Sequence, residues 1–159
     1  MALYWILLGV FSLLLLIFTL VRPHPYRFSR FAAFESVLIL VFLNAEAWFV
    51  TPFSALQILS WFLLGLSIVI IISSIVTLKQ KGAPQGDFEE TTRLITEGIY
   101  RHIRHPMYSS LFYLGVGAYL KNPSLPGLFW LVVLCVSVVI TAHIEEENNL
   151  ARFGEDYRE

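Results

Sequence analysis

The chain has 159 residues, 57% of them hydrophobic and 14% charged, with a mean hydropathy of +0.68. That is too apolar for a soluble domain of this length, and it points to an integral membrane protein. A net charge of −1 provides no broad attraction to nucleic acid, and the single cysteine, Cys135, allows neither a disulfide framework nor a paired-cysteine metal site.

Five apolar runs are candidate spans: 3–21, 31–50, 55–78, 107–120 and 125–143. Crossing the ~30 Å hydrocarbon layer takes about 20 residues, so the fourth run is the weakest of the five. The expected architecture is a single all-α membrane domain over 1–159, a bundle of about five transmembrane helices. The first run lacks a basic leader and is followed by Arg22-Pro23-His24-Pro25 in place of a small-residue cleavage site, so it is expected to remain as a helix. Lysine and arginine gather after the first and third runs (Arg22, Arg27, Arg30; Lys79, Lys81, Arg93, Arg101, Arg104) and in the tail (Arg152, Arg158). The segments Thr51-Pro52-Phe53-Ser54 and Lys121-Asn122-Pro123-Ser124 carry one charge between them. The positive-inside rule then places the N-terminus outside and the C-terminus in the cytoplasm.

Residues 1–78 read as a three-helix scaffold and residues 79–159 as the half that binds cofactor and substrate. In the scaffold, Glu35 and Glu46 are expected within about a turn and a half of an interface, where each can reach water or a neighbouring arginine. The long segment 79–97 opens on the helix breakers Gly82, Pro84 and Gly86, and its length suits a partly ordered lid or wall.

That segment leads into Gly98-Ile99-Tyr100-Arg101-His102-Ile103-Arg104-His105-Pro106-Met107-Tyr108, which crowds basic and aromatic side chains against the start of an apolar run. Pro106 fits the first turn of a helix and excludes His105 from helical geometry, so the chain bends there and a helix begins near Met107. The free N–H groups of that helix start, beside Arg101 and Arg104, make a seat for a carboxylate or phosphate. A cytoplasmic arginine flank with an aromatic belt of Tyr100, Tyr108 and Tyr113 accounts equally for the same residues.

The last apolar run ends in His143-Ile144-Glu145-Glu146-Glu147. His143, Glu146, Glu147 and Leu150 fall on one helix face, and carboxylates near a helix C-terminus call for partners, which the arginine cluster can supply. The His102/His105 and His143/Glu146 spacings are too sparse for a metal centre, so no metal is expected. No Gly-rich phosphate loop or G-x-S-x-G elbow is present.

Taken together, Leu94 to Tyr108, then Gly115, Gly117 and Asn122-Pro123, then Glu145-Glu146-Glu147 with Phe153-Gly154-Glu155-Asp156-Tyr157 resemble the isoprenylcysteine carboxyl methyltransferase family and the related phospholipid N-methyltransferases. The resemblance covers roughly the C-terminal half. It implies a small multi-pass membrane methyltransferase that uses S-adenosylmethionine, with its active site facing the cytoplasm and a lipophilic acceptor arriving from the bilayer: a prenylcysteine carboxylate or a lipid head group. Carried over by position, it implies a cofactor pocket built from Tyr100, His105, Tyr108, His143, Glu145 and Glu146, with Arg104 and Glu146 as the catalytic pair. Ser110 stands where the family usually has Gly, and His143 where Arg is common. Two other readings share part of the pattern. Sterol-type reductases using NADPH resemble the Arg104-His105-x-x-Tyr108 arrangement but are usually longer, and a non-catalytic module could use the basic loop to bind anionic head groups.

Overall fold

The computed structural model describes residues 2–21, 26–82 and 94–154. Among these the elements are five α-helices, α1 (Ala2–Val21), α2 (Arg27–Leu43), α3 (Ala55–Lys81), α4 (Pro106–Tyr119) and α5 (Leu125–Phe153), with two short 3-10 turns and no strand. The long helices start where capping chemistry permits. Ser54 accepts from the Gln57 amide ahead of α3, and Ser124 from the Gly127 amide ahead of α5, so each cap satisfies an N–H that the helix itself leaves without a partner. Pro106 opens α4, where its missing N–H costs nothing.

Among the described residues, three helices are long and apolar enough to cross a membrane: Leu3–Val21, Ala55–Lys81 and Leu125–Phe153. The helices α2, with 17 residues, and α4, with 14, are shorter. The chain is a helical membrane bundle with α4 packed against α2, α3 and α5, while α1 lies against α2. Its core is Ala33, Val37 and Leu40 of α2, Ala118 of α4 and Leu134 of α5.

Lipid tails are as apolar as leucine, so close backbone approach and hydrogen bonds hold such helices together. Gly115 of α4 lets Leu134 in so closely that a Cβ there would lie 2.1 Å from its Cδ2. Along α3, Ser60 Oγ donates to the Gly117 carbonyl at 2.7 Å and Ser67 Oγ to that of Ser110 at 2.8 Å.

The end of the bundle formed by the α2–α3 and α4–α5 connections is held by a polar clasp. Asn44 Nδ2 donates to the Ala118 carbonyl at 2.9 Å, and Gln57 Nε2 to that of Lys121 at 2.9 Å. The Lys121 ammonium donates to Gln57 Oε1 at 3.0 Å and lies 3.5 Å from the centre of the Trp61 ring, with Trp48 behind it. Lys121 is buried, and that desolvation lowers its pKa below that of free lysine.

One sequence expectation needs correction. The second helix spans 27–43 in place of 31–50: Asn44 leaves the helix to bond α4, and a 3-10 turn at Ala45–Ala47 follows. As expected from the shared helix face of His143, Glu146, Glu147 and Leu150, the fifth helix continues past the apolar run to Phe153 and includes the acidic cluster. Glu35 lies midway along α2. Ser12, in the middle of α1, donates to its Oε1 at 2.5 Å, and Oε2 is buried with no hydrogen-bond partner among the described residues. The expected lid falls mostly on residues 83–93, which lie outside the described residues, as do Arg22 and the Glu155-Asp156-Tyr157 part of the tail motif.

Candidate functional site

Opposite the clasp, three elements meet. The first is a 3-10 turn, Gly98–Arg101. It begins at Gly98 with φ +62°, a left-handed conformation natural to glycine, and a Cβ there would also lie 3.0 Å from Thr77 Oγ1 of α3. The turn holds Tyr100 against α3, with its hydroxyl 2.7 Å from Ser74 Oγ, and Lys81 pairs with Glu97 just before it.

The second element is the bend at Arg104-His105 and the start of α4. His105 caps the helix with φ −122° and ψ 68°, the non-helical geometry that Pro106 imposes, and its ring stacks on Tyr108 at 5.7 Å. The third is the polar end of α5. At 1.5 Å per residue, roughly 20 residues of α5 cover the hydrocarbon, so its last turns project beyond it.

Successive residues on a helix point about 100° apart, so the three consecutive acids face different ways. Glu145 turns inward: its Oε2 lies 4.0 Å from His105 Nδ1, and it accepts a hydrogen bond from the Tyr108 hydroxyl. Glu146 lies behind the bend, with Oε1 3.3 Å from His105 Nε2 and 4.0 Å from Arg104 Nη1. Glu147 faces out and pairs with His143 at 3.5 Å. The basic segment and the acidic helix end therefore meet through His105, which is held between two carboxylates and is only 16% exposed.

These elements enclose a cavity of about 570 Å³, within the size range of small-ligand sites. Tyr100, Arg104, His105, Tyr108 and Glu145 line it. Glu146 is not among the lining residues and reaches the cavity only through His105 and Arg104. His143, 72% exposed, is turned away from it.

Sequence reasoning missed two sets of wall residues. On α5, Asn149 and Arg152 follow Glu145 at i+4 and i+7, a stripe hidden beside the more conspicuous His143/Glu146/Glu147 pattern. On the other side, Tyr26, Arg30 and Phe34 line the cavity from α2 and its N-cap, at a regular four-residue spacing within what read as scaffold. Tyr26 and Arg30 come close enough to Tyr108 to act electrostatically on its hydroxyl. Among the described residues no group of three or more His, Cys, Asp or Glu side chains could hold a metal ion.

The described residues thus form an all-helical membrane bundle with a cavity that is polar at one end. The profile of the phospholipid methyltransferase family matches residues 55–155, which is most of the chain and takes in α3, α4 and the acidic end of α5, so the chain belongs to that family and is a membrane methyltransferase. No curated protein and no solved structure gives a significant match to it.

Proposed function

We propose that the protein transfers a methyl group from S-adenosylmethionine to a lipophilic acceptor in the cavity between α2, α4 and α5, within the narrower group that includes the isoprenylcysteine carboxyl methyltransferases. The observation that carries this reading is the lining itself. A stacked His105/Tyr108 pair beside the Glu145 carboxylate suits a cationic ligand, while arginines on the same wall suit a carboxylate. That donor set fits S-adenosylmethionine, which has a sulfonium, an ammonium and a carboxylate.

His105, Tyr108, Tyr100 and Glu145 would hold the cofactor, which when bound supplies an electrophilic methyl on sulfur. Arg104, 61% exposed at the rim, orients the acceptor. Glu146 is a positioning residue that fixes His105 and Arg104 from behind. His143 is left without a part in the pocket. Alignment and exclusion of water by these walls are what methyl transfer requires, and alignment alone supplies up to ~7–11 kcal/mol, so no nucleophilic side chain is needed.

The distribution of basic residues supports a cytoplasmic position for this end. Of the lysines and arginines among the described residues, only Lys121 belongs to the clasp end. Together with the three candidate spans, this supports a multi-pass protein whose functional half is 79–159, resting on a scaffold that also lends a wall to the site.

The test is calorimetry of purified protein with S-adenosylhomocysteine, followed by transfer of labelled methyl from S-adenosylmethionine into a whole-lipid extract and a prenylated-peptide panel. Saturable binding and label in one acceptor class are expected. No binding of S-adenosylhomocysteine would sink the cofactor assignment.

A further inference from the structure

We propose that the stripe Tyr26, Arg30 and Phe34 on α2 is the acceptor subsite, in which Arg30 binds the anionic group of an amphiphile, a carboxylate or a phosphate, while Phe34 bounds the space for its tail. The proposal deepens the methyltransferase reading by naming the chemistry of the acceptor and the residues that select it.

The first observation is a polarity gradient. Down α2 the lining goes from Tyr26 through Arg30 to Phe34, and down α4 from His105 through Tyr108 to Leu111 and Leu114. At 1.5 Å per residue each series descends roughly 12–14 Å into the bundle. On α3 the lining reaches down to Ile71 and Ser67, and the Ser67 hydroxyl is already engaged by the Ser110 carbonyl. The cavity is therefore charged at its outer end and apolar at its inner end. This is the shape of a site for a molecule with a charged head and a hydrocarbon tail.

The second observation is charge. The lining contains Arg30, Arg101, Arg104 and Arg152 with one acid, Glu145, and Arg104 has Glu146 4.0 Å behind it. These guanidiniums suit an anionic group on the remaining ligand. Of these arginines Arg30 is the least exposed: it is partly buried, whereas the other three are classed as exposed. A guanidinium held away from water interacts most strongly with an anion that reaches it, and its planar fork matches carboxylate and phosphate alike.

The third is where α2 lies in the sequence. The family match starts at residue 55, so the shared part of the family supplies the His105/Tyr108/Glu145 side of the cavity while α2 supplies the facing wall from outside it. Methyl transfer is what family members have in common, and a wall from outside the shared part is where acceptor selection can differ. Tyr26 and Arg30 also act electrostatically on the Tyr108 hydroxyl, which donates to Glu145, so both walls belong to one site.

Binding of two anionic probes and one neutral probe to the full chain in nanodiscs, without cofactor, tests the proposal. The probes are oleoyl lysophosphatidate, a farnesylcysteine carboxylate and monooleoylglycerol. Arg30→Gln should weaken both anionic probes, or whichever of them binds, by about tenfold or more, the size of one charged hydrogen bond, and leave the neutral probe unchanged. Arg30→Lys should fall between, and Phe34→Trp should weaken every tailed probe that binds. The thermal midpoint of each variant controls for folding. Unchanged anionic affinities in Arg30→Gln, or a wild-type protein that binds neither anionic probe, would overturn the proposal. S-adenosylhomocysteine binding is measured separately: its failure in the wild type counts against the cofactor assignment alone, whereas a selective loss of it in Arg30→Gln would move Arg30 to the cofactor and overturn the subsite.

Discussion

His105 and Arg104 are adjacent in sequence, yet the bend at Pro106 separates their surroundings. His105 is packed between Glu145, Glu146 and Tyr108, whereas Arg104 reaches the rim with one carboxylate at 4.0 Å. Their variants should therefore fail differently. His105→Ala removes a lining group and the partner of two carboxylates, and it is expected to lower S-adenosylhomocysteine affinity by ~1.5–3 kcal/mol, read by calorimetry. Arg104→Lys keeps the charge and loses the fork, so turnover at saturating cofactor should drop by a similar ~1.5–3 kcal/mol while cofactor affinity stays near wild type. Normal turnover with a large affinity loss in Arg104→Lys would assign Arg104 to the cofactor.

The helices are positioned by contacts that bring backbones together, and two of these can be probed separately. Gly115→Ala would drive a methyl into Leu134, which is fully buried, at a cost of ~1–3 kcal/mol in unfolding free energy, since a packed core resists an added methylene. Adding Leu134→Ala should recover part of that loss, giving non-additive energies in a double-mutant cycle. At the clasp, Lys121→Met keeps the length of the side chain but leaves Gln57 Oε1 buried without its donor and removes the ammonium from the Trp61 face. A loss of ~1–3 kcal/mol and a lower thermal midpoint are expected. S-adenosylhomocysteine affinity should hold, because clasp and cavity lie at opposite ends of α4. An unchanged midpoint would show that the clasp contributes no net stability.

Across the whole molecule, the two ends of the bundle differ in charge, and the orientation proposed from that difference can be measured. In a Cys135→Ser background, cysteines at Thr51 and Asn122 should react with an impermeant maleimide on intact cells, and those at Gln80 and Thr96 only after permeabilisation. The reverse pattern would invert the topology. Much was legible without coordinates. Hydropathy marked the five helices because a bilayer demands long uninterrupted apolar runs, and Pro106 fixed the start of α4 because its ring restricts the residue before it. The sequence also showed that an arginine cluster and an acidic cluster each border an apolar run. It could not show which acid faces which partner, since a 100° step per residue turns Glu145, Glu146 and Glu147 toward the cavity, the bend and the solvent, and only the azimuth of α5 against α4 decides among them. Nor could it place Glu35 against Ser12, or bring Tyr26 and Arg30 across from Tyr108, because those pairs are far apart in the chain and meet only when α1 and α2 pack. Membrane insertion was determined locally, by the transfer of each segment from water to lipid. The site was decided by rotation and packing of helices about one another, which depend on all of the segments at once.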